Sequence, residues 1–343
     1  GVAYIVFERL PLAPFGNRLP QLAFEIVRSS DELQQVVRGV VLIPGSGEFV
    51  YATEPVSRVA AGGASEAENV HTRQGTTDWS VSLDQLEQAL PNASAVSLVT
   101  AWFGTDLRAA NCLIRPGVEI AAKQTSPLTW QVAGLARGAA HLVSRRQGRP
   151  AYGGTPSDET VVAAIRDLAA RGRSVTLTPM LMMDVGEDNA LPDPTTGAAG
   201  QPAYPWRGRI TVTPAPGVAG SPDKTPAAAL QITSIVGSCT PSHFSIAGDG
   251  VVYSGPAEWS YRRFILHYAH LAKAAGGVDA FVIGSELRGL TSVRDGAASY
   301  PFVAALVALA ADVKAVLGPT TKVTYAADWS EYFGHQPQDG SGD

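Results

Sequence analysis

The amino-acid sequence predicts an α/β fold in which residues from about 95 onward form the first part of a parallel α/β barrel. Two observations lead to this fold class. Near-continuous apolar segments alternate with segments whose apolar residues repeat at helical spacing, as in a parallel sheet covered on both faces. A long stretch rich in Gly, Pro and Thr, at 185–253, follows one strand, as at the functional face of such barrels. Because too few strands precede residue 343, the barrel is expected to be incomplete in this chain.

The predicted barrel elements follow one another in regular order. Three of the helices end at Gly or Gly-Pro positions, which terminate helices. A second barrel strand is expected near 149–152, with a hairpin at 112–132, and one further strand is expected in the insertion at 209–212. Strands one, three, four and five are predicted at 95–102, 174–183, 279–285 and 322–327, and helices at 83–90, 157–171, 258–275 and 300–317.

The first part of the chain is predicted to be a small all-β segment, residues 1–57. Its signals are the β-rich run at 3–7, the alternating run at 21–27, and a hairpin formed by 40–43 and 49–51 around Pro44-Gly45-Ser46-Gly47. A small, polar stretch at 58–79 has the composition of a linker. The barrel domain is therefore expected at 80–343, with its insertion at about 185–255.

Composition excludes several classes of function. The chain has 343 residues and a net charge of −5, with scattered basic residues, which argues against a nucleic-acid or anionic-membrane surface. No apolar run approaches the roughly 18 residues that span a bilayer. Its two cysteines, Cys112 and Cys239, are expected to be free buried thiols, and no motif indicates a metal or a cofactor. The start, Gly1-Val2-Ala3-Tyr4, lacks an initiator Met, so we expect an interior piece of a longer polypeptide.

Acidic residues follow the predicted barrel strands, where all carboxyl ends open on one face. Acids together with aromatic rings suit carbohydrate chemistry, since glycoside cleavage needs two carboxyl groups and sugar rings stack on aromatic faces. A divalent-metal site is the competing use of clustered acids. We call the face at the carboxyl ends of the strands the mouth of the barrel. The residues expected there are Trp102, Asp106, Asp184, Glu286, Arg288, Asp328 and Trp329.

Glu286 is the sharpest candidate of this set. Gly284-Ser285 allows a tight turn directly after a buried strand, which would aim Glu286 into the mouth, and Arg288 would orient a carboxylate or bind substrate. A local Glu286–Arg288 ion pair is the alternative. For Asp106, Asp184 and Asp328 the alternative is capping of a following helix or a solvated loop, and for Trp102 and Trp329 it is packing.

Several motifs resemble proteins of tailed phages and gene transfer agents. Residues 4–8 (YIVFE), 10–18 (LPLAPFGNR) and 21–25 (QLAFE) resemble a tail-tip hub segment. The barrel motifs resemble the glycoside-hydrolase-like TIM-barrel domain of the large gene-transfer-agent tail protein: 98–104 (LVTAWFG), 152–158 (YGGTPSD), 283–291 (IGSELRGLT) and 325–332 (YAADWSEY).

This resemblance implies a virion protein of the tail baseplate, assembled in the bacterial cytoplasm. Its implied partners are other baseplate proteins, two further copies in a homotrimer around the tail channel, and a host envelope glycan. The barrel family is similar to retaining glycoside hydrolases, which makes Glu286 the acid/base and places the nucleophile's strand beyond Asp343. Ser285 stands where that clan has an Asn that binds the sugar's 2-hydroxyl.

Two hypotheses follow for the function. The first is structural: a baseplate hub carrying a glycosidase-like barrel that contacts the host envelope during DNA delivery. The second is enzymatic: the barrel hydrolyses a cell-wall or surface glycan with Glu286 as acid/base. A metal-assisted barrel enzyme unrelated to tails leaves the motifs of the first 25 residues unexplained.

Overall fold

The computed structural model describes residues 11–13, 32–45, 47–59 and 61–332. Its centre is a sheet of five parallel strands, β1 (Gly39–Leu42), β2 (Ala95–Gly104), β3 (Ser174–Met183), β4 (Ala280–Ser285) and β5 (Lys322–Ala326). The strands lie in the sheet in the same order as in the chain. Sequential order is typical of a barrel, whereas a doubly wound sheet reverses direction midway. The prediction of an α/β fold with a parallel sheet is confirmed.

Helices alternate with these strands along the chain, and at least three of them contact the sheet. The helices are α1 (Glu32–Val36), α2 (Asp78–Ala89), α3 (Asp158–Ala170), α4 (Pro226–Val236), α5 (Tyr261–Ala274), α6 (Arg288–Thr291), α7 (Pro301–Leu317) and α8 (Trp329–Tyr332). The predicted helices at 83–90, 157–171, 258–275 and 300–317 correspond to α2, α3, α5 and α7. No helix among the described residues is long and apolar enough to cross a membrane.

The core lies between the sheet and the helices. Leu98 and Leu177 are paired in register on β2 and β3, and both are fully buried. Ile165 of α3 and Phe264 of α5 belong to the same buried cluster. The apolar side chains of strands and helices therefore share one layer, which accounts for the near-continuous apolar character of the strands. The described cysteines, Cys112 and Cys239, are both free and buried, as predicted.

The first barrel strand is not the one that was predicted. Gly39–Leu42 pairs in parallel with β2, so the predicted hairpin of 40–43 with 49–51 is wrong. Residues 49–51 form a turn instead, and the Tyr51 hydroxyl donates to the Val99 carbonyl at 2.6 Å. A short apolar run does not by itself specify its pairing partner, which explains the error. The predicted strand one is therefore β2.

The stretch between β2 and α3 consists of short pairings. Arg149–Pro150 pairs antiparallel with Arg145–Arg146, so the expected second barrel strand at 149–152 is wrong. The hairpin expected at 112–132 is also absent from this described stretch, because its strands pair with other segments. The short strands of the described residues are Ser57–Val59, Ser65–Ala67, Ile114–Arg115, Gly117–Val118, Thr125–Ser126, Gln131–Val132, Leu135–Ala136, His141–Leu142, Arg145–Arg146, Arg149–Pro150, Phe244–Ala247 and Gly250–Tyr253.

The insertion after β3 contains more structure than the sequence predicts. It carries α4 and the hairpin Phe244–Ala247 with Gly250–Tyr253. The strand expected at 209–212 is a 3-10 turn, Arg207–Arg209, followed by a single bridge from Thr211 to Arg108. The predicted strands at 3–7 and 21–27 lie outside the described residues. The division into domains at 57 and 79 stays a prediction, although β1 joins the same sheet as β2.

Candidate functional site

The carboxyl ends of the parallel strands form one edge, and an acidic residue follows each of β2 to β5. Asp106 follows β2, Asp184 follows β3, Glu286 follows β4 and Asp328 follows β5. The side chain of Glu286 is 36% exposed, against 5% for Asp106 and 1% for Asp184. Of these three, Glu286 is therefore the acid most open to a ligand.

Backbone geometry at the end of β4 fixes the direction of Glu286. This residue adopts φ +53°, a left-handed conformation that is uncommon for a side chain of this type. Its N–H donates to the Ala326 carbonyl at 2.9 Å, which ties the turn to β5. A side chain at Gly284 would collide with the Tyr261 hydroxyl and lie 3.1 Å from the Tyr325 ring. Only glycine fits there, as the Gly284-Ser285 turn signal indicated.

The insertion supplies the groups that contact Glu286. Arg207 forms an ion pair with the Glu286 carboxylate, and its Nε donates to the Ser285 carbonyl at 2.9 Å. The Arg207 Nη2 atom that pairs with Glu286 also donates to the Ser285 hydroxyl at 3.1 Å. The indole N–H of Trp206 donates to Glu286 at 3.3 Å. The cation that pairs with Glu286 is therefore Arg207, and not the Arg288 considered from the sequence.

Asp106 is held by its own loop and by the insertion. Arg108 binds it through two nitrogens, at 2.6 and 3.0 Å, and the Gln201 amide donates to it at 2.7 Å. Burial by itself raises the pKa of Asp106, but the Arg108 and Gln201 hydrogen bonds outweigh that effect and leave the pKa below its usual value. This carboxylate is charged and fully engaged in the fold.

Asp184 is the centre of a buried polar cluster. Its Oδ2 lies 2.6 Å from His141 Nε2, while Ser144 donates to it from the hydroxyl at 2.5 Å and from the backbone N–H at 2.9 Å. Burial raises the pKa of Asp184, and the bonds from His141 and Ser144 reverse that effect, so the pKa is lowered overall. Because Asp184 binds Ser144 directly, the three residues lack the Ser–His–Asp order of a nucleophilic triad.

One segment of the insertion, residues 201–207, passes across these strand ends. Gln201 binds Asp106, the Tyr204 hydroxyl lies 3.3 Å from Ser144, and Arg207 binds Glu286. Seven residues reach at most about 25 Å when extended. The acids after β2, β3 and β4 therefore lie within reach of this one segment, and the insertion contacts each of their sites.

The remaining predicted residues are not brought into this group. Asp328 caps α8 by accepting from the Ser330 N–H at 3.0 Å, while Glu331 accepts from the Asp328 N–H at 2.8 Å, a reciprocal capping arrangement. Trp329 is 74% exposed. Arg288 lines a cavity of about 710 Å³ between α7 and β5. Substrate contacts by these residues stay predictions.

Trp102 faces the helices and not the mouth. It is fully buried, and its ring centroid lies 5.4 Å from Phe264 and 5.2 Å from His267, both on α5. Side chains alternate across a strand, so a residue at this register points away from the barrel interior. Trp102 is therefore a packing residue, the alternative to the position at the mouth that its place on the strand suggests.

Chemistry at this edge is acidic and aromatic. Among the described residues, no group of three or more His, Cys, Asp or Glu is arranged to hold a metal ion. The aromatic ring nearest Glu286 that the contacts identify is Trp206, which is 40% exposed. A carboxylate, a guanidinium and a partly exposed indole therefore lie together at this edge of the sheet.

Residues 259–343 match the sequence model of the GTA TIM-barrel-like domain. A solved GH113 β-1,4-mannanase complex is similar to the chain at 14% identity and a TM-score of 0.36, over 74% of this chain and 51% of the mannanase chain. This chain therefore spans about half the length of that structure's chain. No curated protein sequence matches it.

The match to the GTA TIM-barrel-like domain covers one side of the candidate site. Glu286, Arg288, Asp328 and Trp329 lie within the matched residues. The acids after β2 and β3 lie before the matched residues, and so does the insertion that supplies Arg207.

Sequence reasoning missed the residues of the insertion that contact the acids. A signal was present, because Tyr204-Pro205-Trp206-Arg207 places two aromatic residues and a cation within an otherwise small and polar stretch. Strand-end patterns cannot reveal these residues, since their contacts with Ser144 and Glu286 span 60 and 79 residues of sequence.

Proposed function

We propose that this chain is a structural component of a phage-like tail baseplate, and that its barrel contacts a glycan of the host envelope during DNA delivery. The match to the GTA TIM-barrel-like domain supports association with a gene-transfer-agent particle. The motifs of residues 4–25 support the hub role. On this proposal the protein resides in the tail baseplate, beside other baseplate proteins, as a homotrimer around the channel.

The observation that carries the proposal is the engagement of Glu286 by Arg207 and Trp206. A general acid must present its proton to the glycosidic oxygen. Here the Glu286 carboxylate is occupied by a guanidinium and by an indole N–H. This arrangement suits a surface that binds sugar through fixed polar groups, with Trp206 available for stacking.

Hydrolysis by a retaining mechanism is the second candidate, with Glu286 as acid/base. The left-handed backbone of Glu286 favours it, because strained non-glycine residues cluster at functional sites. In this case the insertion would have to withdraw Arg207 before the carboxyl group could act.

The test measures binding and hydrolysis of peptidoglycan and lipopolysaccharide by the full-length protein. Glu286→Gln is compared with Glu87→Gln, a control whose side chain is 38% exposed and also pairs with arginine. Glycan binding without hydrolysis supports the structural role. Hydrolysis that falls by roughly 10²–10⁴-fold in Glu286→Gln, and not in the control, establishes the enzyme. Absence of both binding and hydrolysis contradicts the glycan contact itself.

A further inference from the structure

A second cavity lies on the carboxyl side of β1 to β3, apart from Glu286. It has a volume of about 460 Å³, within the range of small-ligand sites. Gly47, which lines it, lies five residues after β1. Tyr152 also lines it and donates from its hydroxyl to the Met183 carbonyl at the end of β3, at 3.0 Å. The cavity therefore opens near the edge that carries the candidate site, but the residues around it are different.

Most charges around this cavity are already paired within the protein. Lys123 lies 2.9 Å from Glu68, 3.2 Å from Glu48 and 3.3 Å from Glu119, and its side chain is 4% exposed. Arg58 pairs with Glu66 and Glu68, and His71 pairs with Asp78. These three basic residues of the cavity lining are therefore already paired with acidic residues of the protein.

Arg149 differs from these residues. Arg149 lines the cavity, is exposed, and its side chain makes no hydrogen bond or ion pair with any residue that the structure describes. It lies on the two-stranded hairpin Arg145–Arg146 and Arg149–Pro150, directly opposite Arg146. Arg146 is neutralised by Glu187 at 3.0 Å. Arg149 is therefore the arginine of this cross-strand pair whose charge has no acidic partner among the described residues.

The hairpin that carries Arg149 is held in a fixed position. Its turn residues, Gln147 and Gly148, adopt φ +51° and +77°, as a tight two-residue hairpin turn requires. At its base, the Ala151 N–H donates to the Ser144 carbonyl at 2.8 Å, and Ser144 is bound to Asp184. A cation on a rigid element loses less entropy when it binds a ligand.

Tyr152 lines the same cavity as Arg149 and is the aromatic residue of that lining besides His71. Its ring packs against Phe103 and Tyr204 at centroid distances of 5.5 and 5.7 Å, which fixes its orientation. Because its hydroxyl is committed to the Met183 carbonyl, the ring is the part that remains for a ligand. A fixed aromatic ring and an unpaired arginine that line one cavity suit a sugar ring that carries one negative charge.

We propose that this cavity binds an acidic saccharide, with its carboxylate on Arg149 and its ring against Tyr152. The inference rests on the proposed glycan contact and names the class of sugar. A single unpaired cation suits a single carboxylate, whereas a nucleic acid requires a row of cations, and the chain's net charge of −5 opposes a polyanion.

The test is isothermal titration of the full-length protein with methyl galacturonoside, a single sugar that carries one carboxylate, and with its methyl ester, in which that carboxylate is a neutral ester. Wild type is expected to bind the acid at least tenfold more tightly than the ester. Arg149→Gln is expected to abolish this preference, since a hydrogen bond between charged groups contributes roughly ten- to hundredfold in affinity. Arg145→Gln is the matched control, because it removes one charge from the same hairpin, and among the described residues the Arg145 side chain hydrogen-bonds only to the Gly148 carbonyl.

Three outcomes overturn the inference: equal binding of acid and ester, equal losses in Arg145→Gln and Arg149→Gln, or displacement of the saccharide by inorganic phosphate at equal concentration. The last outcome would mean recognition of any oxyanion. If Arg149→Gln retains peptidoglycan or lipopolysaccharide binding while the acid preference is absent from wild type, the inference fails and the proposed function stands. If wild type prefers the acid but binds neither envelope glycan, the proposed function fails instead.

Discussion

At the scale of single residues, Glu48 is the most demanding case in the described part of the chain. Its side chain is fully buried. It receives two hydrogen bonds from Arg137, at 2.7 and 2.9 Å, and one from the Glu119 N–H at 3.0 Å. Removing one partner of a buried ionic network leaves the remaining charges buried without a counter-charge. This lowers the free energy of unfolding far more than the loss of a surface ion pair does.

Glu48→Gln is expected to lower the free energy of unfolding by about 3–5 kcal/mol at neutral pH. The control Glu66→Gln, whose side chain is 53% exposed, should change it by less than about 1 kcal/mol. Urea unfolding followed by circular dichroism measures both. Equal losses in the two variants would show that burial of the network around Glu48 contributes little.

Glu48 is also expected to make the stability of the protein depend on pH. Burial raises the pKa of Glu48, but Arg137 and Lys123 outweigh burial, so its pKa in the folded state lies below the unfolded value. A carboxyl group whose pKa is lowered by folding stabilises the folded state at pH values above the pKa of the unfolded chain. This stability is lost as the pH falls through the pKa of the folded state. The free energy of unfolding should therefore decrease below about pH 4, and it should decrease less steeply in Glu48→Gln. Parallel pH profiles for the two proteins would contradict this assignment.

At the scale of elements, the long helices were predictable because local sequence specifies them. Ser260 caps α5 by accepting from the Arg263 N–H, and Gly318 ends α7 with φ +93°. Their apolar residues recur at helical spacing, which burial against the sheet requires. Two-residue strands such as Gly117–Val118 carry no comparable local signal. This strand forms only because it pairs with His141–Leu142, which lies more than twenty residues further along the chain.

The insertion depends on a close contact with α6. A side chain at Gly289 would lie 2.7 Å from the Gly208 carbonyl oxygen and still closer to that of Ile210. Gly289→Ala is therefore expected to lower the free energy of unfolding by about 1–3 kcal/mol through overpacking, and to open the insertion to proteolysis. In the control Gly296→Ala, the new methyl group meets nothing nearer than Ser299 at 3.9 Å. Urea unfolding and limited trypsin digestion measure the two effects, and identical behaviour of both variants would contradict the contact.

At the scale of the whole molecule, the order of the strands sets the distribution of stability. β3 pairs with β2 along ten residues and with β4 on its other side, whereas β1 and β5 each pair on one side only among the described residues. Amide hydrogen exchange should therefore be slowest in β3 and faster in β1 and β5 by at least about tenfold. Mass spectrometry of peptides from each strand measures this, and uniform protection across the sheet would contradict the one-sided pairing of β1 and β5 seen among the described residues.

The sequence by itself determined the alternation of strands and helices, the acids at the strand ends and the position of Glu286 after the fourth barrel strand. These features rest on local periodicity, turn residues and caps, all of which act over a few neighbouring residues. The tertiary structure decided that Gly39–Leu42 is the first strand of the described sheet, that Trp102 faces α5, and that Arg207 pairs with Glu286. Each of these depends on contacts between residues more than fifty positions apart, and hydrophobic patterning constrains which face of a strand is buried without naming the partner that buries it.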